Sequence, residues 1–266
     1  MDNEPIKSLA PHHVRRSYFM HLVTLFALAV LVYVVVAYIA VPLGWEHYTR
    51  RHTALADVPG ITHTHTGIHG DPLNVALVGT EHEVKVIMLA AKWFPADPLT
   101  WRSCLHIADA TVLKRSYEDA PVSNLYLFGR KEDLAFEQPV GHDPRKRQHV
   151  RFWRSATPDP DGRPVYVGAA TFDERVGFSH TTGEITHHIA ADIDAERNQL
   201  FDDLQATGDL AETYTIADFH TVLQGKNGGG DPWHTDGGLK VGVIKPMPAP
   251  TAGAAASATP TSDQTR

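Results

Sequence analysis

Cysteine is almost missing from this 266-residue chain: Cys104 is the only one. A lone cysteine closes no intrachain disulfide and supplies no multi-thiolate zinc site, so neither device organises the fold, and the redox compartment is undetermined. Excess positive charge is missing as well. With 24 Lys and Arg against 31 Asp and Glu, a net charge of −7 and a pI near 6.2, the chain lacks the basic footprint of a nucleic-acid coat, and no nucleic-acid partner is expected. There is no internal repeat and no phosphate-binding P-loop. The glycine-rich run Gly225-Lys226-Asn227-Gly228-Gly229-Gly230-Asp231 lacks the closing Lys-Ser/Thr pair and the following helix, so it reads as a β-hairpin turn, with Asp236-Gly237-Gly238 as a second tight turn. No nucleophile elbow is visible either. Ser123 has no flanking glycines and Cys104 falls inside a helical stretch, so covalent catalysis is not expected.

Long apolar runs are scarce too, with one exception. From Leu22 to Val41 every residue is apolar except Thr24, counting Tyr33 and Tyr38 as amphipathic rings. Such a helix matches the roughly 30 Å hydrocarbon layer of a bilayer. Tyr18 and Phe19 before it and Trp45 and Tyr48 after it suit the two interfacial belts. The run is too long for the core of a cleaved signal peptide, and no small-x-small cleavage site follows it cleanly. The expected organisation is therefore a polar segment (1–21), a single transmembrane helix (22–41), a linker (42–56), a folded domain (57–245) and a disordered Pro-, Ala-, Thr- and Ser-rich tail (246–266). Lys7, Arg15 and Arg16 precede the helix and Arg50 and Arg51 follow it. That balance slightly favours a cytoplasmic N-terminus and a periplasmic or otherwise extracytoplasmic domain.

Within the domain, Leu73 to Gly79 reads as a buried strand leading into a helix from Glu81 to Lys92, whose Val84, Ile87, Met88 and Ala91 recur at helical spacing. A second helix is expected over Leu99 to Lys114. Short β patterns follow at Asn124–Phe128, Leu134–Phe136, Gln148–Trp153, Val165–Thr171 and Gly183–Ile189. Asp194 to Ala206 returns to helical spacing, with Asp192 or Asp194 as its cap, and Thr213–Leu223 and Leu239–Ile244 read as final strands. Strands that do not alternate regularly with helices imply an α+β fold, here one mixed domain with a predominantly antiparallel sheet.

Several motifs together resemble the C-terminal domain family of LssY. They are Gly70-Asp71-Pro72-Leu73-Asn74, Ala120-Pro121-Val122-Ser123, Phe128-Gly129-Arg130, His149-Val150-Arg151-Phe152-Trp153, Thr186-His187-His188-Ile189 with Asp194-Ala195-Glu196-Arg197, and Gly230-Asp231-Pro232 with Thr235-Asp236-Gly237. The resemblance covers roughly Asp57 to Ile244. It implies a setting rather than a reaction: related proteins carry this domain beside lipid-phosphatase-type or DedA-like membrane domains, which points to envelope lipid or lipid-phosphate metabolism. This chain resembles the isolated module on its own anchor, so the phosphatase activity is not carried over.

Two groups of residues carry the candidate chemistry. The first is His187-His188 with Asp192, Asp194, Glu196 and Arg197, a set able to ligate a divalent metal such as zinc through His187, His188 and Asp194 or to transfer protons. Neighbouring residues on a strand face opposite ways, so only one of the two histidines can line a given site. The second is Arg145, Lys146, Arg147, His149 and Arg151, in which His149, Arg151 and Trp153 share a strand face suited to a phosphate or lipid headgroup. The blander alternatives are a capped helix start for the first and a solvated basic strand end for the second. His63, His65 and His69 form a third group, read as a surface arm.

Two functions stay open. One is a hydrolase of a phosphorylated or lipid-linked envelope substrate, with His149, Asp173, His187, His188 and Glu196 as catalytic groups and Arg147, Arg151 and Arg197 holding the anion. The other is a non-catalytic module that binds an anionic lipid, a lipid phosphate or a partner membrane protein beside the bilayer. Convergence of these side chains favours the first, and scatter the second. The anchor itself is testable: N-terminal sequencing of the mature protein is expected to find a start before Leu22, and a start beyond Val41 would show a cleaved signal peptide.

Overall fold

The computed structural model describes residues 12–45, 48, 55–96, 125–141, 146–178, 180–181 and 185–248. The expected helix at 99–114, the 120–123 motif, Cys104, Ser123, Arg145 and residues 249–266 of the tail lie outside them. The chain divides into two units, Met1–His52 and Thr53–Arg266.

The first unit is helical. Helix α1 (His12–Val35) runs into a π-helical turn at Val36–Ala40, and Tyr18–Trp45 is long and apolar enough to cross a membrane, with none of its most apolar stretch buried against protein. Within the apolar run Thr24 Oγ1 donates to Met20 O at 2.9 Å, so this hydroxyl is satisfied by the helix's own backbone.

The second unit is built on one large sheet. Its strands in chain order are β3 (Val75–Val78), β4 (Phe94–Pro95), β7 (Leu134–Pro139), β8 (Arg147–Arg154), β9 (Val165–Phe178), β10 (Ile185–Ile189), β11 (Leu210–Ile216) and β14 (Leu239–Ile244). They lie side by side as β11-β14-β3-β9-β8-β7-β4, with β10 on the far part of β9, and every pair is antiparallel except β14 with β3. The domain is thus α+β with a mainly antiparallel sheet. A small second sheet comprises β1 (Ile61–His63), β2 (His69–Pro72), β5 (Tyr126–Leu127) and β6 (Arg130–Lys131), and a hairpin is made by β12 (Gln224–Lys226) and β13 (Pro232–His234).

Strand alternation divides the core in two. Val75, Leu77, Val150, Phe152, Tyr166 and Ala170 meet helices α2 (Glu81–Ala90) and α3 (Ile193–Ala206) through Val84, Ile87, Met88, Leu200, Phe201 and Leu204. Ala76, Val78, Trp153, Val165, Val167 and Val241 turn the other way, onto Leu73, Leu125 and Leu127 at the small sheet. Helix α2 begins with a full capping box, Thr80 Oγ1 accepting from Glu83 N and Glu83 Oε2 from Thr80 N. Helix α3 begins at Asp192, whose carboxylate accepts from Asp194 N and Ala195 N, so Asp192 and not Asp194 is the cap.

Three segments depart from the sequence pattern. Around Tyr126 the strand is only two residues long, because Phe128 and Gly129 both take positive φ, 53° and 74°, and reverse the chain into β6. The strand expected to reach Leu223 stops at Ile216, and Asp218, with φ 55°, turns the chain where His220 Nε2 meets Leu73 O at 2.5 Å. The His63–His69 segment is no loose arm but the β1–β2 hairpin, with the two rings 5.3 Å apart. The chain also stays on the domain past Pro246: Met247 packs against the helix-side core and its N–H donates to Glu83 Oε1 at 2.9 Å.

Asn74 joins these layers. Fully buried between β2 and β3, it donates from Nδ2 to Ala170 O and Ile193 O, both at 2.9 Å, and accepts at Oδ1 from Ala170 N at 2.8 Å. Asn74→Ala strands these backbone groups away from water, so it is expected to cost about 3 kcal/mol and to lower the melting temperature by several degrees. An unchanged melting curve would show that the carboxamide joins nothing of consequence.

Candidate functional site

The polar cluster starts on β8. Alternation turns Arg147, His149, Arg151 and Trp153 away from the helices; Trp153 completes the small-sheet core, and the other three continue the same face toward the strand's start. His149 lies opposite Glu137 on β7 and Thr171 on β9, and Arg147 opposite Asp173. Directly opposed residues share a face, so acidic and basic side chains from three strands meet there.

Asp173 is the hub. Its Oδ2 lies 3.1 Å from His149 Nε2 and 2.9 Å from His187 Nδ1, both off the line of a good hydrogen bond, and the imidazoles meet edge to face with centroids 6.2 Å apart. Burial works against charge on Asp173, but the two imidazoles outweigh it and hold the carboxyl well below the usual carboxylate range. Glu137 stands 3.9 Å from His149 Nε2 and pairs with Arg147 at 3.1 Å.

Two further aspartates adjoin this hub. Asp71, at the end of β2, faces Arg151 across 3.5 Å and accepts from Asn227 Nδ2 at 3.3 Å. Burial pushes its carboxyl up; Arg151 and Asn227 pull it back, while Asp173 and Asp231 push it up again. Asp231 Oδ1 lies 2.5 Å from His188 Nδ1, and its Oδ2 accepts from Ile189 N at 3.4 Å. The strand pleat therefore sends His187 to Asp173 and His188 to Asp231. All of Asp71, His149, Arg151, Asp173, His188 and Asp231 are buried.

Other expected site residues go elsewhere. Glu196 sits on the helix side of the sheet, where Gln148 hydrogen-bonds to it and its Oε1 is buried with no hydrogen-bond partner among the described residues. Burial drives its carboxyl up to about 8, Gln148 opposing and Asp203 and Asp173 adding. Arg197 spans Asp236 with two bonds of 2.8 Å, donates to Gly238 O at 2.9 Å and lies 3.1 Å from Asp194. It braces the 235–238 turn. Asp194 accepts from Thr235 Oγ1 and Asp236 N, so the set His187, His188 and Asp194 is not brought together: each of the three has a different partner. Arg147 and Arg151 likewise face carboxylates.

The family profile of the LssY C-terminus matches residues 55–239. The chain belongs to the LssY C-terminal family. A comparison with curated proteins and one with solved structures each found no match. The LssY C-terminal match runs from Leu55, buried in the small-sheet core, to Leu239 at the start of β14, and so contains every residue of the polar cluster.

Reading the sequence for site residues misses Asp71, Glu137, Asn227 and Asp231. Two of them had a signal: the tripeptide Gly-Asp-Pro occurs at 70–72 and again at 230–232, and both aspartates enter this cluster. In the first, a Cβ on Gly70 would stand 2.5 Å from Thr62 Oγ1, so only glycine lets β2 lie this close to β1.

Glu196 gives a pH prediction. Its folded value near 8 exceeds the ordinary 4.5, so the folded chain holds this proton more tightly than the unfolded one. The resulting stability is complete below about pH 4.5 and lost as pH rises through about 8. Glu196→Gln, which cannot ionise, should exceed the wild type by on the order of 3 kcal/mol at pH 9 and by little at pH 5. Melting curves at the two pH values check this, and a gap that does not widen with pH refutes it.

Proposed function

We propose that this LssY C-terminal domain is a hydrolase, tethered to a membrane by helix Tyr18–Trp45, which cleaves a phosphorylated or lipid-linked envelope substrate with Asp173, His149 and His187 as its proton-handling centre. One observation carries the reading: a single buried carboxylate oxygen contacts imidazoles from two different strands. Such a cluster is an expensive way to stabilise a fold, because desolvating charges offsets much of their attraction, whereas perturbed acid–base groups concentrate at functional sites.

The chemistry follows from the ring geometry. Asp173 Oδ2 contacts each imidazole at one nitrogen, and in this reading proton handling falls to the other, His149 Nδ1 and His187 Nε2. A water oxygen forms the new bond to phosphorus while one imidazole takes the water's proton. The bond from phosphorus to the leaving oxygen breaks, and that oxygen takes a proton from the other imidazole, which enters protonated. Asp173 stays a carboxylate throughout. Of the three arginines, Arg151 has the longest ion-pair separation, 3.5 Å against 3.1 Å for Arg147 and 2.8 Å for Arg197, so its partner is the one a substrate oxyanion displaces most readily. The excess of cations ahead of the helix supports an extracytoplasmic domain, beside envelope lipids.

The test uses the full chain in detergent or reconstituted vesicles, offered p-nitrophenyl phosphate or phosphatidic acid with and without added divalent cations. Phosphate release is expected, reduced about a hundredfold or more by Asp173→Asn and by His149→Ala, with Arg151→Lys acting mainly on KM. Saturable vesicle binding without any release would reject catalysis and assign the domain as a headgroup-binding module.

A further inference from the structure

We infer that His180, His188 and Asp231 form a three-ligand site for a transition-metal dication of the zinc type, open on one side. One ligand atom from each of the three residues lies within 4.8 Å of the other two, His188 and Asp231 being buried and His180 exposed. The rings of His180 and His188 lie with centroids 5.2 Å apart. Two imidazoles and a carboxylate are the borderline nitrogen and oxygen donors that zinc, cobalt or iron(II) takes, and three protein ligands leave a coordination position for water or substrate. This inference goes beyond the reaction proposed above and is tested without turnover.

The surroundings are shaped for these three side chains. Asn227 Oδ1 accepts from Gly229 N at 3.0 Å and Asp231 N at 2.9 Å, and Asn227 N donates to Asp231 O at 2.9 Å, so the loop that carries Asp231 is cross-braced. The turn that carries His180 is fastened to the same loop by His180 N donating to Gly229 O at 2.9 Å. Two glycines permit the approach. At Gly230, φ is +87° and a Cβ would stand 2.8 Å from the Cβ of His180; at Gly177 a Cβ would stand 2.8 Å from His188 Nε2. Charge points the same way: the buried carboxylates Asp173 and Asp231 both act on Asp71, where Arg151 is the guanidinium that opposes them. A dication held by Asp231 adds positive charge where these carboxylates gather.

The full chain is stripped with chelator, re-equilibrated with zinc or cobalt(II), and assayed by elemental analysis, calorimetry and the cobalt absorption spectrum. About one tightly held equivalent is expected. Because His180 is exposed, His180→Ala should leave the melting temperature of the stripped protein unchanged while weakening zinc at least about tenfold and altering the cobalt spectrum. Asp231→Asn should do the same to the metal. The β1–β2 pair His63 and His69 is the internal control, and His63→Ala should leave both readouts unmoved. Absence of stoichiometric metal, metal unaffected by His180→Ala, or metal lost in His63→Ala would each overturn the site.

Discussion

The arrangement depends on the buried carboxamide of Asn74. A backbone carbonyl or amide sealed away from water must find a partner, and here one side chain partners Ala170 on β9 from both sides and Ile193 at the start of α3. The backbone of the same residue extends the sheet, its N–H donating to Gly168 O and its C=O accepting from Lys240 N. The chain arrives at Asn74 from the small sheet and leaves it into the large one. A single position therefore sets the depth of β3 in the sheet, the height of β9 beside it and the seat of the helix above.

Strand β9 carries that placement to the polar cluster. It runs 14 residues, long enough to pair with β3 and β8 along its first part and with β10 along its last. The first part buries Val165, Val167 and Ala169 against the small sheet, and the same face continues through Thr171 to Asp173. The change from apolar to polar along one face needs no special turn. It follows from the two-residue period of a strand longer than the core it covers. Register then slips between His188 and Ile189 as β10 pairs alongside Asp173, and the adjacent histidines reach separate carboxylates.

Electrostatics separates the groups the sequence offers as equals. Asp173, contacted by two imidazoles, is held ionised; Asp71, with one arginine at 3.5 Å, is pushed up; Glu196, with one amide partner, is pushed up to about 8. The direction of each shift follows the charge of the partners, because burial alone raises all three. Arg197 is the counterexample among the cations. Its planar fork is filled by Asp236, whose carboxyl it pulls down to about 2, so a residue suited to gripping a ligand braces a turn instead.

What the sequence by itself determined is whatever local periodicity and chain chemistry control. The apolar helix, the α+β class, the helix over Glu81–Ala90, the strand over Leu239–Ile244 and the shared face of His149, Arg151 and Trp153 are all readable from spacing, since each depends on residues a few positions apart. The glycine-rich hairpin belongs with them, as does an aspartate cap on α3, although spacing leaves that cap open between Asp192 and Asp194. What only the tertiary structure decided is which charged groups meet: Asp173 with His149 and His187, Asp71 with Arg151, Asp231 with His188, and Arg197 with Asp236 rather than with a ligand. Those pairs join residues that lie from 14 to 80 positions apart in the chain. Their meeting is set by strand order, register and one slip in β10, which arise when two cores close on the same sheet and which no local pattern encodes.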